Sequence, residues 1–170
     1  MAKNSFFIRA TVTAASDGTY GQTEIDLGSY TNLGSSKPEV LRIHNIQVLM
    51  TDSAGFIPTM GADTAGSAAW QLTTQSQSAL VLATDDSFVA GGSGAFRNAD
   101  ASAMHPGPNY EAQILAQDWS AGAVIAVPSL FLLADVSNTW TEDVVFSVIL
   151  ECTTEAMSKA NAVALAISQQ

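Results

Sequence analysis

Short runs of branched and aromatic residues recur along this chain, and clusters of Gly, Ser, Asn and Asp interrupt them. Such runs suit a pleated, half-buried surface, and the small polar clusters supply the backbone angles of turns. Residues 6–13 (FFIRATVT) are the first expected strand, with a turn at Ser16-Asp17-Gly18 behind it. Residues 22–27 alternate polar and apolar, the period of a strand with one face buried. Residues 39–51 carry Val40, Leu41, Ile43, Ile46, Val48 and Leu49, and their period slips at His44-Asn45, which predicts a bulge.

Residues 52–66, rich in Gly, Ala and Thr, read as a connection. Residues 69–74 and 79–84 read as two short strands, followed by a turn at Thr84-Asp85-Asp86-Ser87. Residues 90–108 hold Gly91-Gly92-Ser93-Gly94 and Pro106-Gly107-Pro108, and are expected to form the longest exposed loop. Residues 111–117, 124–134 and 142–154 complete the strands, with a turn at Asn138-Thr139. The last two runs are almost continuously apolar, which predicts cover on both faces, while Pro128 marks an edge or a bend.

Ala156, Ala160, Val163, Ala164 and Ile167 fall at helical spacing, so a short terminal helix is preferred. The strand reading stays open there, because Val163, Leu165 and Ile167 alternate with alanines. Many strands without βα alternation point to an all-β class, an antiparallel β-sandwich or jelly-roll barrel with a short C-terminal helix. The length of 170 residues suits a single domain over residues 1–170, with an N-terminal arm at 1–5 and a C-terminal tail at 156–170.

Charge then narrows the function. Charged residues make up 13% of the chain, against about 25% in an ordinary soluble domain. The surface must therefore be built largely from Ser, Thr, Ala, Gly and Gln. Burying hydrogen-bonded amides and hydroxyls costs far less than burying ions, so such a surface suits contact with copies of itself. The net charge is −10, and the basic residues Lys3, Arg9, Lys37, Arg42, Arg97 and Lys159 form no run. Direct nucleic-acid binding, which needs clustered cations, is not expected. Neither a secretory h-region nor an apolar stretch of bilayer length is visible, so synthesis in a cytoplasm is expected.

Catalytic patterns are weak. Cys152 lies in an apolar run and reads as a core thiol. His44 and His105 belong to no metal-binding spacing, His44 reading as a strand residue with a hydrogen-bond partner and His105 as a loop residue. Asp85-Asp86 reads as a turn before a cation site. Gly91-Gly92-Ser93-Gly94 lacks the Lys and helix of a phosphate cradle. Glu142-Asp143 and Glu151 can be imagined as paired carboxylates for glycoside hydrolysis, but acids at strand starts and edges are common solubility devices. Trp70, Trp119 and Trp140 either seal a sandwich core or line a sugar-binding face. No catalytic, cofactor-binding or metal residue is assigned, no cofactor is expected, and the chain is not expected to be an enzyme.

The strands at 6–13 and 40–50, the Gly-rich central segment, the paired late strands and the tail running from Met157-Ser158-Lys159-Ala160 to Gln170 together resemble the single jelly-roll major capsid proteins of membrane-containing icosahedral viruses of bacteria and archaea. The resemblance implies an eight-stranded barrel upright in a shell, a capsid subunit of the virion that self-assembles into capsomers, and partners among copies of itself and other capsid proteins. It also implies an internal viral membrane beneath the shell. Two alternatives remain open: another phage structural protein, in head decoration or fibre, and a carbohydrate-binding jelly-roll module.

Overall fold

The computed structural model describes residues 4–105, 107–114 and 119–169. Its strands are β1 (Phe6–Ala14), β2 (Gly21–Asp26), β3 (Glu39–Thr51), β4 (Thr64–Thr73), β5 (Phe88–Asn98), β6 (Gly107–Ile114), β7 (Ala123–Ile125), β8 (Ser129–Val136) and β9 (Val144–Ala156), followed by helix α1 (Lys159–Ser168). They form a four-stranded sheet ordered β1-β9-β3-β7 and a five-stranded sheet ordered β2-β8-β4-β5-β6. Every pairing is antiparallel. Four pairs are nested in sequence: β1 with β9, β2 with β8, β3 with β7, and β4 with β5. Folding the chain into one long hairpin and rolling it into two sheets gives this order, which is the jelly roll, and β6 adds a strand at one edge.

Alternation places the core. Ile8 and Val12 of β1, Leu41 and Ile43 of β3, and Phe146, Val148 and Leu150 of β9 face Ile25, Leu72, Leu130 and Leu132 of the other sheet, all buried in one cluster. The period slip at His44 is a real bulge, since the register of β3 on β9 shifts between Ile43 and Asn45. The turn after β1 also stands: the Thr19 N–H donates to Asp17 Oδ1 at 2.9 Å, and Gly18 takes φ +84°.

Several expectations need correcting. The run 124–134 is two strands, because the chain leaves the four-stranded sheet after β7 and enters the five-stranded sheet at β8. Pro128 stands at that bend, and its carbonyl accepts from the Leu27 N–H at 2.8 Å. The run is almost continuously apolar because the crossover itself, Ala126 and Val127, is buried.

The expected loop over 90–108 is strand β5 as far as Asn98, and β6 begins at Gly107. Its glycines make room for aromatics rather than for turns. A Cβ on Gly92 would stand 2.8 Å from Trp70 Nε1, and one on Gly94 would stand 3.0 Å from the Phe96 ring. Glycine inside a strand commonly marks such close approach. Of the strand expected at 111–117, residues 111–114 lie in β6 and 115–117 fall outside the described residues. Residues 1–3 of the expected N-terminal arm also lie outside them.

No strand forms at 79–84. That segment crosses the outer surface of the five-stranded sheet and is held by side chains instead of a ladder. Gln71 bonds both the N–H and the carbonyl of Val81, at 2.9 and 2.8 Å. Gln22 Oε1 accepts from the Gln77 N–H at 2.8 Å. Leu133, which pairs with Gln22 on one side and Gln71 on the other, is fully buried between these two grips.

Helix α1 forms as preferred, with Ser158 as N-cap accepting from the Asn161 N–H at 3.3 Å. Its buried residues are Ala162 and Ala166, packed with Val40 and Ala126 on the outer side of the four-stranded sheet. The stripe picked out from the sequence faces the other way: Val163 and Ile167 are exposed. Small alanines win the inner face because they let the helix lie close on Val40.

Candidate assembly surface

Strand alternation sends every second residue of β1, β9 and β3 away from the core. Four cross-strand rows result: Phe7, Glu151 and Asn45; Arg9, Ile149 and Gln47; Thr11, Ser147 and Leu49; Thr13, Val145 and Thr51. Among the described residues no element covers these rows, and Phe7 and Leu49 are 54% and 52% exposed. Val145 and Ile149 are only half-buried, so the expectation that the last strand is covered on both faces fails for β9. It holds for Leu133 of β8, under the segment pinned by Gln22 and Gln71.

The open face is bounded on one side by a polar rim. Arg42 grips Glu155 through two bonds, at 2.9 and 2.7 Å, and also donates to the Ala121 carbonyl. The Glu155 carboxylate holds the Arg42 guanidinium above its ordinary range, against a smaller opposing push from burial. His44 Nε2 lies 2.9 Å from Thr153 Oγ1, the hydrogen-bond partner expected for that histidine. Beyond the rim, α1 covers Val40. Gln169 ties the helix down: its side chain donates to the Val124 carbonyl at 2.7 Å and accepts from the Ala126 N–H at 2.9 Å. Its own backbone carbonyl accepts from Thr74 Oγ1 at 2.6 Å.

The residues weighed for chemistry are dispersed. Cys152 is fully buried on the core side of β9, and desolvation pushes its thiol up to about 12. His105 is exposed in the connection after β5. Asp85 Oδ1 accepts from the Ser87 N–H and hydroxyl at 2.9 and 2.6 Å, and these bonds lower its pKa; it closes a turn. Glu142 accepts from Thr59 N–H and Oγ1 at 2.7 and 2.8 Å, and Asp143 from the Ser16 N–H at 2.9 Å, so both knit loops together. Glu151 lies seven strand residues beyond Val144, a rise of roughly 23 Å, against the roughly 5–9.5 Å that separates glycosidase carboxylates. Among the described residues, no group of three or more His, Cys, Asp and Glu is placed to hold a metal ion.

The tryptophans behave as core seals. Trp140 is buried, meets Phe96 edge-on at 5.4 Å, and donates from Nε1 to the Ser67 carbonyl at 3.3 Å. Trp70 and Trp119 are half-buried against the same core. Sequence reasoning missed the open face, although Phe7, Arg9, Thr11 and Thr13 alternate strictly with the buried side of β1. Among the described residues, no helix is long and apolar enough to cross a membrane.

Nested antiparallel pairs around one core define the class: an antiparallel jelly-roll β-sandwich with a short C-terminal helix. The chain is similar to the VP1 protein of Trichodysplasia spinulosa-associated polyomavirus, solved in complex with sialylated precision glycooligomers, with TM-score 0.53 and 7% identity over 88% of this chain and 94% of that one. Weaker similarity extends to apo chimpanzee polyomavirus VP1, with TM-score 0.46 and 8% identity over 93% and 97% of the two chains. The unassembled VP1 pentamer of Washington University polyomavirus gives TM-score 0.40 and 8% identity over 91% and 94%. At such identities the likeness is one of fold. No protein-family model and no curated protein sequence matches the chain.

Proposed function

We propose that this chain is a structural virion protein, a capsid subunit that self-assembles with its own copies into the capsomers of an icosahedral shell. The observation that carries the reading is the uncovered outer face of β1, β9 and β3. A soluble monomer would be expected to cover apolar residues like Phe7 and Leu49, and here they stand exposed beside the half-buried Ile149, on a face whose two charges, Arg9 and Glu151, are of opposite sign. The viral jelly-roll neighbour at TM-score 0.53 supports the fold such a subunit needs. Other capsid proteins and an underlying membrane are further partners of this reading, and the virion, after synthesis in a host cytoplasm, is its location.

Expression of the chain, followed by sedimentation and electron microscopy over a range of salt and concentration, tests it. Rings, capsomers or shells are the expected products. A monomer that persists at high concentration, with no neighbour in its native particle, overturns the reading. Decoration or fibre proteins would use the same surface, and a micrograph of the source particle separates these from a shell subunit. A sugar-binding module through Trp70, Trp119 or Trp140 finds less support, since Trp140 is buried, Trp70 packs over Gly92 and Trp119 packs against the core.

A further inference from the structure

We propose that the open face of the four-stranded sheet is a two-fold contact between copies of this chain, in which Arg9 of each copy pairs with Glu151 of the other. This deepens the assembly reading above and rests on it for the premise that copies meet.

Charge gives the first argument. Arg9 and Glu151 are the only charged residues in the four open rows, one of each sign, on a chain of net charge −10. They sit diagonally, because Phe7 is opposite Glu151 and Arg9 is opposite Ile149. Diagonal neighbours on adjacent strands stand roughly 7–8 Å apart. Yet the sole salt bridge among the described residues is Arg42 to Glu155, so the two charges do not satisfy each other within one chain. Instead the Arg9 guanidinium lies 5.7 Å from the centre of the Phe7 ring, on the same face. A two-fold axis lying in the contact plane, across the middle of the Arg9–Glu151 line, places each Arg9 against the partner copy's carboxylate. Both pairs form at once, as an isologous contact requires. Strands β2, β8, β4 and β5 offer no such balance on the outer side of the other sheet, since they carry Glu24, Asp26 and Asp135 against Arg97 there.

Unspent bonding capacity gives the second. The side chains of Thr11, Thr13, Asn45, Gln47 and Ser147 make no hydrogen bond to any described residue. Polar side chains elsewhere differ: Asp17, Gln22, Asp52, Gln71, Gln77 and Asn98 all bond neighbouring backbone or side chains. Polar groups waiting around an apolar centre of Phe7, Ile149 and Leu49 reproduce the composition of a protein interface.

Area gives the third. Twelve residues along three strands cover a flat footprint of roughly 400 Å² per copy, before side-chain relief is added. Two copies then bury on the order of 1,000 Å², enough for a specific contact of modest strength.

The test is a charge exchange in the full chain, read by sedimentation. Arg9→Glu leaves two carboxylates on the face and Glu151→Arg leaves two cations, and each is expected to weaken association by about tenfold or more. Mixing the two single variants is expected to restore association, because each then meets its complement across the contact. The double variant restores it as well. Leu49→Glu, at an exposed position, is expected to abolish the contact while leaving unchanged the thermal midpoint measured at dilutions where the wild-type chain is also monomeric. If wild-type chain assembles and the single variants or Leu49→Glu assemble equally well, or if the mixture fails to recover, this contact is wrong while the coat reading survives. If the wild type never associates at all, both fall together.

Discussion

The side-chain amide of Gln71 stands in for a peptide group toward Val81, accepting from its N–H at 2.9 Å and donating to its carbonyl at 2.8 Å. Gln71 lies on β4 with its side chain on the outer side of the sheet, so one residue does what a ladder would otherwise do for the crossing segment. Gln169 repeats the device at the β7 edge, with Val124 and Ala126 as its partners. Three-atom amides at the tip of a flexible stem can reach where a strand cannot be accommodated.

Gln71→Ala removes both bonds to Val81 and uncovers Leu133. A loss of about 1–3 kcal/mol is expected, from two net hydrogen bonds and partial exposure of one leucine. Hydrogen exchange localises it: amides of residues 76–87 should lose protection while β3 and β9 keep theirs. Uniform loss across both sheets would show that the segment does not act as a separate cover.

Gln169→Ala cuts the tie between α1 and β7, with an expected cost of about 1–2 kcal/mol. Gln169→Glu keeps an acceptor for the Ala126 N–H but sets a carboxylate oxygen against the Val124 carbonyl, so it should destabilise the chain as well. The exchange rate of the Ala126 amide reads the difference directly. An unchanged rate in Gln169→Ala would contradict the latch.

Gly21→Ala tests how closely β1 and β2 approach. A Cβ there would stand 2.0 Å from the Thr13 carbonyl oxygen, which is backbone and cannot swing aside. Separating the strands is expected to cost about 3 kcal/mol, the upper end of ordinary overpacking. Thermal denaturation measures it. A variant as stable as the parent would mean that the corner is looser than drawn.

Cys152 carries a pH dependence whose sign is fixed. Burial, aided by the charge of Glu151, holds its folded pKa up at about 12, against an ordinary 9.0. Below about pH 9 both folded and unfolded chains keep the proton, and the full stability is present. Between about 9 and 12 the unfolded chain loses it first, so stability falls as pH rises through that window. Cys152→Ala should flatten that fall even though it lowers stability overall. At about pH 8 a maleimide should label the thiol only after denaturation, because a buried neutral thiol is neither accessible nor nucleophilic. Rapid labelling of native protein would contradict the burial.

Where side-chain chemistry and local period agreed, the chain was legible. Strand β3 has the bounds read from its branched residues, Glu39–Thr51, and its bulge falls at His44. The turn at Asp17-Gly18 was equally plain, and helix α1 was preferred over a strand, with the strand left open by the alternation of Val163, Leu165 and Ile167. Glycine misled at 91–94, because the same residue that frees a turn also clears space for Trp70 and Phe96. Residues 79–84 misled because an extended segment held by Gln71 has strand composition without strand partners. The alanine-rich helix has two similar faces, and its period alone did not say that Ala162 and Ala166 turn inward while Val163 and Ile167 turn out.

By itself the sequence determined the class: alternating branched runs with turn residues between them can bury a face only by pairing into sheets, and scarce charge leaves a surface that tolerates being covered. Only the tertiary structure decided which strands became neighbours and which outward rows stayed open. Pairings such as Phe7 with Glu151 join residues more than a hundred positions apart, and no local period encodes which distant strand arrives. The open outer face of β1, β9 and β3 is a consequence of that rolling.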